Sequence, residues 1–237
     1  ALLFSANNLM SLVNDILDFN KLEANQMKFE QIDMSVKDIG EKIIRGYQGL
    51  ARDKHISISY HADPAIADIV KGDPIRLMQV LNNLVDNAVK FTPAGSVKLS
   101  LLNEATDEYT TTVKFMVEDT GIGIPSEKQK LVFERFTQAD STTSRSYGGT
   151  GLGLSICEKI LTLQHTRLHL HSEEGVGSVF WFSQTFPVVS SRGDIHHEAS
   201  AGILEDKPLR NYTILLAEDN ALNVLIAKSV LEEFGAK

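Results

Sequence analysis

"DPIRLMQVLNNLVDNAVKFT", residues 73–92, opens on an aspartate and a proline and then repeats apolar residues at helical spacing. Aspartate suits the cap of a helix and proline its first turn, so the helix is predicted to start at Asp73-Pro74 and to run to about Phe91. At 100° per residue Leu77, Leu81, Leu84 and Ala88 fall within about 60° of one another and form a core stripe. Asn83, Asn87 and Lys90 form a second group of similar width, roughly 110° around the helix, with Arg76 on the same side. Asparagine is a mediocre helix former, so two of them one turn apart call for a reason. Amide oxygens suit a hard, partly hydrated Mg²⁺, and an ammonium suits a phosphate. The same side chains would also suit an ordinary solvated face.

The flanking segments alternate between strand and helix patterns. "ISISYHA" (56–62), "SVKLSLL" (96–102) and "TTVKFMVED" (111–119) read as strands, the last two joined by a polar turn near Thr106–Glu108. "RLHLHSE" (167–173) and "GSVFWFSQTF" (177–186) read as a final strand pair around "EEGVG". Helices are predicted over 36–52, with Ser35 and Asp38 as a capping pair, over "SEKQKLVFERF" (126–136), and over 151–164. The first thirty residues read as one helix. Leu2, Leu9 and Ile16 keep a heptad interval there, with Leu12 and Phe19 on the adjacent seam. Residues 188–210 show no period and read as a linker, followed by a strand in "YTILLAEDN" (212–220) and a helix over 220–234.

Two glycine-bearing turns carry further chemistry. "YGGTGLGLSICEKI" (147–160) places Gly148, Gly149, Gly151 and Gly153 directly against a helix start. Bare backbone beside unpaired helix N–H groups suits an anion, and equally a mobile surface loop. In "VEDTGIGIP" (117–125), Asp119 ends an apolar strand, and Gly121 and Gly123 leave room for a flat ring. A tight turn with the aspartate bonded to its own backbone accounts for the same residues.

Composition sets outer limits. With 237 residues and 43% of them hydrophobic, the chain is long enough for one ample core or two modest ones. A net charge of -8 argues against a general nucleic-acid surface. The single cysteine, Cys157, lies in an amphipathic helix and reads as a buried, reduced thiol, which points to a cytoplasmic setting. No run approaches the roughly 18 apolar residues of a membrane span, so no direct membrane contact is expected. Both ends fall inside periodic patterns and read as cuts through a longer protein.

Taken in order, "NLVDNAVKFT", "DTGIGI", "FERF", "GGTGLGL" and "EGVGS" resemble the catalytic ATP-binding domain of sensor histidine kinases over about residues 55–187. "LVNDILDFNKLEA" is similar to the second helix of the dimerisation hairpin. "ILLAEDNALNVLIAKSVLEEFGA" is similar to the start of a receiver, the arrangement of a hybrid histidine kinase. The resemblance implies an α+β fold, a two-layer α/β sandwich of the GHKL (Bergerat) ATPase type. A long hairpin helix would precede it (1–34, kinase domain 35–187), with a linker (188–210) and a partial α/β receiver (211–237) after it. It implies ATP and Mg²⁺ as cofactors, with Asn87 as Mg²⁺ ligand, Asn83 beside it and Lys90 on phosphate. Asp119 would take the adenine amino group, with Gly121 and Gly123 lining the base and Gly175 and Gly177 forming a last turn near it. Phe133 and Phe136 would anchor a lid over 137–149. Gly149, Thr150, Gly151, Leu152 and Gly153 would present backbone N–H groups to the phosphates, and Arg135 and Arg145 would reach the γ-phosphate.

The implied activity is transfer of the γ-phosphate to a histidine and onward, by phosphorelay, to an aspartate of a receiver domain or response regulator, in a homodimer formed through the hairpin. An inactive nucleotide-binding module and a hydrolysing GHKL ATPase are the alternatives. Relatives that hydrolyse ATP keep a glutamate where this chain has Asn83, and an amide is no general base. None of the seven histidines stands in the acceptor motif, so the acceptor is expected before Ala1. His169 and His171 read as a sheet face rather than a metal pair, and "LQHTRL" (163–168) stands where the family usually has glycines. Glu218 and Asp219 match the receiver's Mg²⁺-binding acidic pair, while the phospho-accepting aspartate would lie beyond Lys237. Residues 211–237 alone are too short to bury a domain core.

Overall fold

The computed structural model describes residues 28–133, 152–189, 213–215, 228 and 231–232. The chain divides into two units, Ala1–Ser190 and Ser191–Lys237. In the second unit the described residues 228, 231 and 232 are helical, and Lys228 lies 3.7 Å from Glu232 one turn on. Residues 1–27 of the predicted hairpin helix, the segment 137–149 and the acidic pair Glu218-Asp219 lie outside the described residues.

The first unit is built on a five-stranded sheet in the order β2-β4-β5-β7-β6. Its strands are β2 (Ile56–Ala62), β4 (Gly95–Thr106), β5 (Thr110–Asp119), β6 (His169–Glu173) and β7 (Gly177–Pro187). β2 and β4 run parallel, and the other pairs are antiparallel. The parallel pair needs a crossover, which helix α2 (Pro74–Phe91) supplies. Helices α1 (Val36–Asp53) and α3 (Gly153–Leu163) flank α2.

Each helix starts and stops for a local reason. The Ser35 hydroxyl accepts from the Asp38 N–H at 3.2 Å and opens α1. Asp73, buried at the start of α2, accepts from the Arg76 N–H at 3.0 Å and from the Glu30 N–H at 3.1 Å. The Thr92 hydroxyl ends α2 by donating to the Ala88 carbonyl at 2.7 Å. The predicted stripe of Leu77, Leu81, Leu84 and Ala88 is buried, together with Val80, Val85 and Val89. It faces Val97, Leu99, Leu101, Val113, Phe115 and Val117 on the sheet, all at most 1% exposed. Phe115 stacks on Phe182 at 4.9 Å and meets Phe186 edge-on at 6.1 Å. The opposite sheet face is polar and half-exposed, and there the His169 ring stacks on Trp181 at 5.2 Å.

In the second unit the described residues 213–215 of the predicted strand 212–220 are not in a strand; four features of the first unit also depart from the sequence expectations. Strands β1 (Ile32–Met34) and β3 (Val70–Gly72) pair as a separate two-stranded sheet. Residues 28–30 are not helical. The predicted helix over 126–136 is, within its described part, a run of turns ending in a 3₁₀ turn at Leu131–Phe133. The Lys128 N–H bonds back to Pro125 in a three-residue turn, and the Ile124 carbonyl, which an α-helical Lys128 N–H would use, instead accepts from the Gln129 side-chain amide, which also reaches the Ser172 carbonyl. Finally, Val188 and Val189, read as linker, are tied to the unit: Val188 N–H donates to Tyr109 and Val189 N–H to Ile69.

Candidate functional site

Asn83 and Asn87 lie one turn apart on α2, and the Asn87 amide nitrogen donates to the Asn83 oxygen at 3.1 Å. That bond fixes both amides. Asn87 keeps its oxygen for another partner, and Asn83 keeps its nitrogen. The Asn83 nitrogen stands directly over Gly153, the first residue of α3, where any Cβ would overlap it. Gly153 is therefore required by close approach, and it joins the α2 amides to the N-terminus of α3. Leu152, at the cap position, is buried at 1% exposed. Lys90 follows one turn after Asp86, its ammonium 5.1 Å from the Phe91 ring. Burial lowers the Lys90 pKa, and the Asp86 charge raises it again.

A second cluster sits at the end of β5. Asp119 accepts from the Gly121 N–H at 2.8 Å. Burial raises the pKa of its carboxyl, and the N–H groups of Gly121 and Ser178 pull it part of the way back. Gly121 is packed against the Phe91 carbonyl at the end of α2, to which Ile122 N–H donates at 3.2 Å. Gly123, at φ +65°, lies on the Glu173 carbonyl, and Gly177, at φ +138°, lies on the Asp119 carbonyl. No side chain fits at either position. Gly175 N–H donates to Ile122 at 2.8 Å, so the β6–β7 turn is stitched to the Gly121–Gly123 loop.

Residues that no sequence motif singles out complete this clasp. The Ser172 hydroxyl accepts from Ile124 N–H at 2.8 Å and reaches the Gly177 carbonyl and the Ser178 hydroxyl. Gln129 bridges the carbonyls of Ile124 and Ser172. Ser172 and Ile124 are 48 residues apart, and Ser172 and Gln129 43, so no local pattern marks these contacts. Phe133 is half-buried against the core. Arg135, Phe136, Arg145, Gly149, Thr150 and Gly151 lie outside the described residues.

Chemically, the site offers a partly desolvated carboxylate acceptor beside bare glycine backbone at one end. At the other it offers an amide oxygen, an amide nitrogen and an ammonium beside a helix N-terminus. The first suits the exocyclic amine of a planar base, the second a hydrated cation and its phosphates. Among the described residues no group of three or more His, Cys, Asp or Glu side chains could hold a metal by itself. No helix of the described residues is long and apolar enough to cross a membrane.

Comparison with known proteins points the same way. Residues 72–189 match the family described as histidine kinase-, DNA gyrase B-, and HSP90-like ATPase. The chain is 38% identical over 240 residues to hybrid signal transduction histidine kinase K of Dictyostelium discoideum, covering 97% of this chain and 20% of that protein. It is 38% identical over 178 residues to signal transduction histidine-protein kinase BarA of Escherichia coli K12, covering 75% of this chain and 19% of that one. The chain thus spans about a fifth of the length of these relatives. Full-length ShkA, solved in complex with AMPPNP, aligns with a TM-score of 0.68 at 28% identity, covering 98% of this chain and 45% of that one.

Proposed function

This chain belongs to the histidine kinase-, DNA gyrase B-, and HSP90-like ATPase family, as the ATP-binding kinase core of a two-component histidine kinase, and on that premise we propose how its residues divide the work. Asp119 accepts the adenine amino group, and Gly121 and Gly123 lie along the ring. Asn87 gives its oxygen to Mg²⁺, Asn83 directs its nitrogen toward the phosphates, and Lys90 neutralises phosphate charge. Gly149, Thr150, Gly151, Leu152 and Gly153 supply backbone N–H groups, and Arg135 and Arg145 reach the γ-phosphate. Bound Mg²⁺ would neutralise charge on the phosphates during in-line transfer.

The observation that carries this reading is the convergence of Asn83, Asn87 and Gly153, which brings two separate sequence motifs to one point. With an amide at position 83 the site has no base there to activate water, which favours transfer over hydrolysis. In the full-length protein the acceptor is a histidine on the dimerisation hairpin of a homodimer. The phosphate passes next to an aspartate of a receiver or response regulator, with the kinase core in the cytoplasm.

Asn87→Ala tests the site. Alanine is the better helix former, so the melting midpoint should hold or rise slightly. ATP binding measured by calorimetry should lose most of its Mg²⁺ dependence. Transfer of γ-labelled phosphate to a hairpin domain supplied separately should fall further than nucleotide affinity does. Full Mg²⁺-dependent binding and normal transfer in the variant would place the metal elsewhere. Acid-labile label on the chain incubated alone would show that one of its own histidines is the acceptor.

A further inference from the structure

One rung of the sheet carries Asp119 and two serines. Asp119 of β5 pairs with Ser178 of β7, and Ser178 with Ser172 of β6, so the three side chains share one face across adjacent strands. The half-buried Ser172 hydroxyl has one hydrogen and two lone pairs, and all three are in use. Its hydrogen goes to the Gly177 carbonyl at 2.8 Å, which leaves Ser178 as the donor of the 2.9 Å contact between the two hydroxyls. Its remaining lone pair accepts from the Ile124 N–H at 2.8 Å. A single oxygen thereby ties the loop of Gly121 and Gly123 to the strand end beside Asp119. On the α2 side that loop is held by the Ile122 N–H on the Phe91 carbonyl. On the β6 side it is held by Ser172, by the Gly175 N–H on Ile122, and by the Gln129 amide, which spans the carbonyls of Ile124 at 2.9 Å and Ser172 at 2.8 Å.

We propose that Ser172 is a positioning residue for the base end of the site: its hydroxyl fixes the Gly121–Gly123 backbone relative to the Asp119 carboxylate, and with it the preference for adenine over guanine. The inference rests on the base role given to Asp119 above. Ser172 acts through the loop and touches no nucleotide, so the phosphate end, built on α2 and the start of α3, is indifferent to it.

The test measures adenosine and ATP affinity of the 237-residue chain by calorimetry, with GTP read in competition against ATP. Ser172→Ala should weaken adenosine and ATP by the same factor, about three- to tenfold, and GTP by less, so the preference for ATP over GTP narrows. The ratio of ATP to adenosine affinity, which the phosphate end sets, should not move. Ser172→Thr keeps the hydroxyl at a strand position that suits a branched side chain, and it should restore most of the loss. Gln129→Ala removes the parallel tie from outside the sheet. It should narrow the preference by a smaller factor, and it carries the test if Ser172→Ala does not fold. In an Asp119→Asn background Ser172→Ala should have little further effect on the preference, because its route runs through that carboxylate. An unchanged preference in the folded Ser172→Ala chain would overturn the inference, whether ATP and GTP weaken equally or not at all. A fall in the ratio of ATP to adenosine affinity would overturn it too, by moving the effect to the phosphate end. If Asp119→Asn itself leaves ATP affinity and the preference over GTP intact, the base role of Asp119 fails first. If Asp119→Asn narrows the preference and Ser172→Ala does not, only the inference fails.

Discussion

Asp119 is held in opposite senses by stability and by binding. Its folded carboxyl is raised by burial, so the folded chain keeps that proton to higher pH than the unfolded chain does. The stability tied to this group is therefore complete below the unfolded value of about 3.9 and is lost as pH rises through the higher folded value. Asp119→Asn should remove that loss. The melting midpoint of the nucleotide-free variant should fall less than that of the parent chain as pH rises from the acid side toward neutral. The same change should weaken ATP and ADP about ten- to a hundredfold, since it turns part of an acceptor toward an amine donor, and it should narrow the preference over GTP. Calorimetry with unchanged ATP affinity would remove Asp119 from the base pocket.

The close of α3 shows what a single element can carry without glycine. Its last turn ends with Thr166 N–H donating to Leu161 at 2.9 Å and His165 N–H to Thr162 at 3.1 Å, which places His165 at φ +61°. His55 takes the same conformation, φ +57°, just after α1. A left-handed residue with a Cβ costs ~1–2 kcal/mol, and glycine returns part of that as unfolded-state entropy. His165→Gly should stabilise the chain by ~0.5–1 kcal/mol, read as a higher urea midpoint with an unchanged slope and unaltered ATP affinity. The departure at "LQHTRL" was legible in the sequence; that histidine itself takes the glycine conformation was not. α1 and α2 were legible because Ser35, Asp73 and Pro74 announce their starts within four residues and their apolar stripes are periodic. β1 and β3 were not, because each is three residues long and their pairing joins Ile32 to Gly72. Over its described residues 126–133, the helical pattern of this segment loses to bonds from the Gln129 side chain. In the site, Asn83, Asn87 and Lys90 could be read together because one helix spaces them, whereas Ser172, Ser178 and Gln129 meet only through sheet pairing and a side-chain bridge.

At the scale of the first unit, the described hydrophobic core lies between the sheet and the helices, and α2 is its central member, packed on α1, α3, β4 and β5. The proposed nucleotide groups stand on the rim of this core, so the order that binding would need is largely supplied by packing already in place. Cys157 belongs to the same core: it is fully buried on α3, its thiol 3.8 Å from the Val80 carbonyl of α2. Since it is the chain's single cysteine, it makes the seam between these two helices a chemical clock. A thiol reagent can reach it only in molecules whose α3 has lifted from α2, so the labelling rate counts such openings. The lift also separates Gly153 from Asn83 and so dismantles the proposed phosphate end of the site. Bound nucleotide must then hold the clock back: at ATP a hundredfold above its Kd, labelling should slow by about a hundredfold. A rate indifferent to ATP would mean that α3 breathes without disturbing the site. A rate that follows the occupancy would let one sulfur atom report how tightly the nucleotide closes the seam.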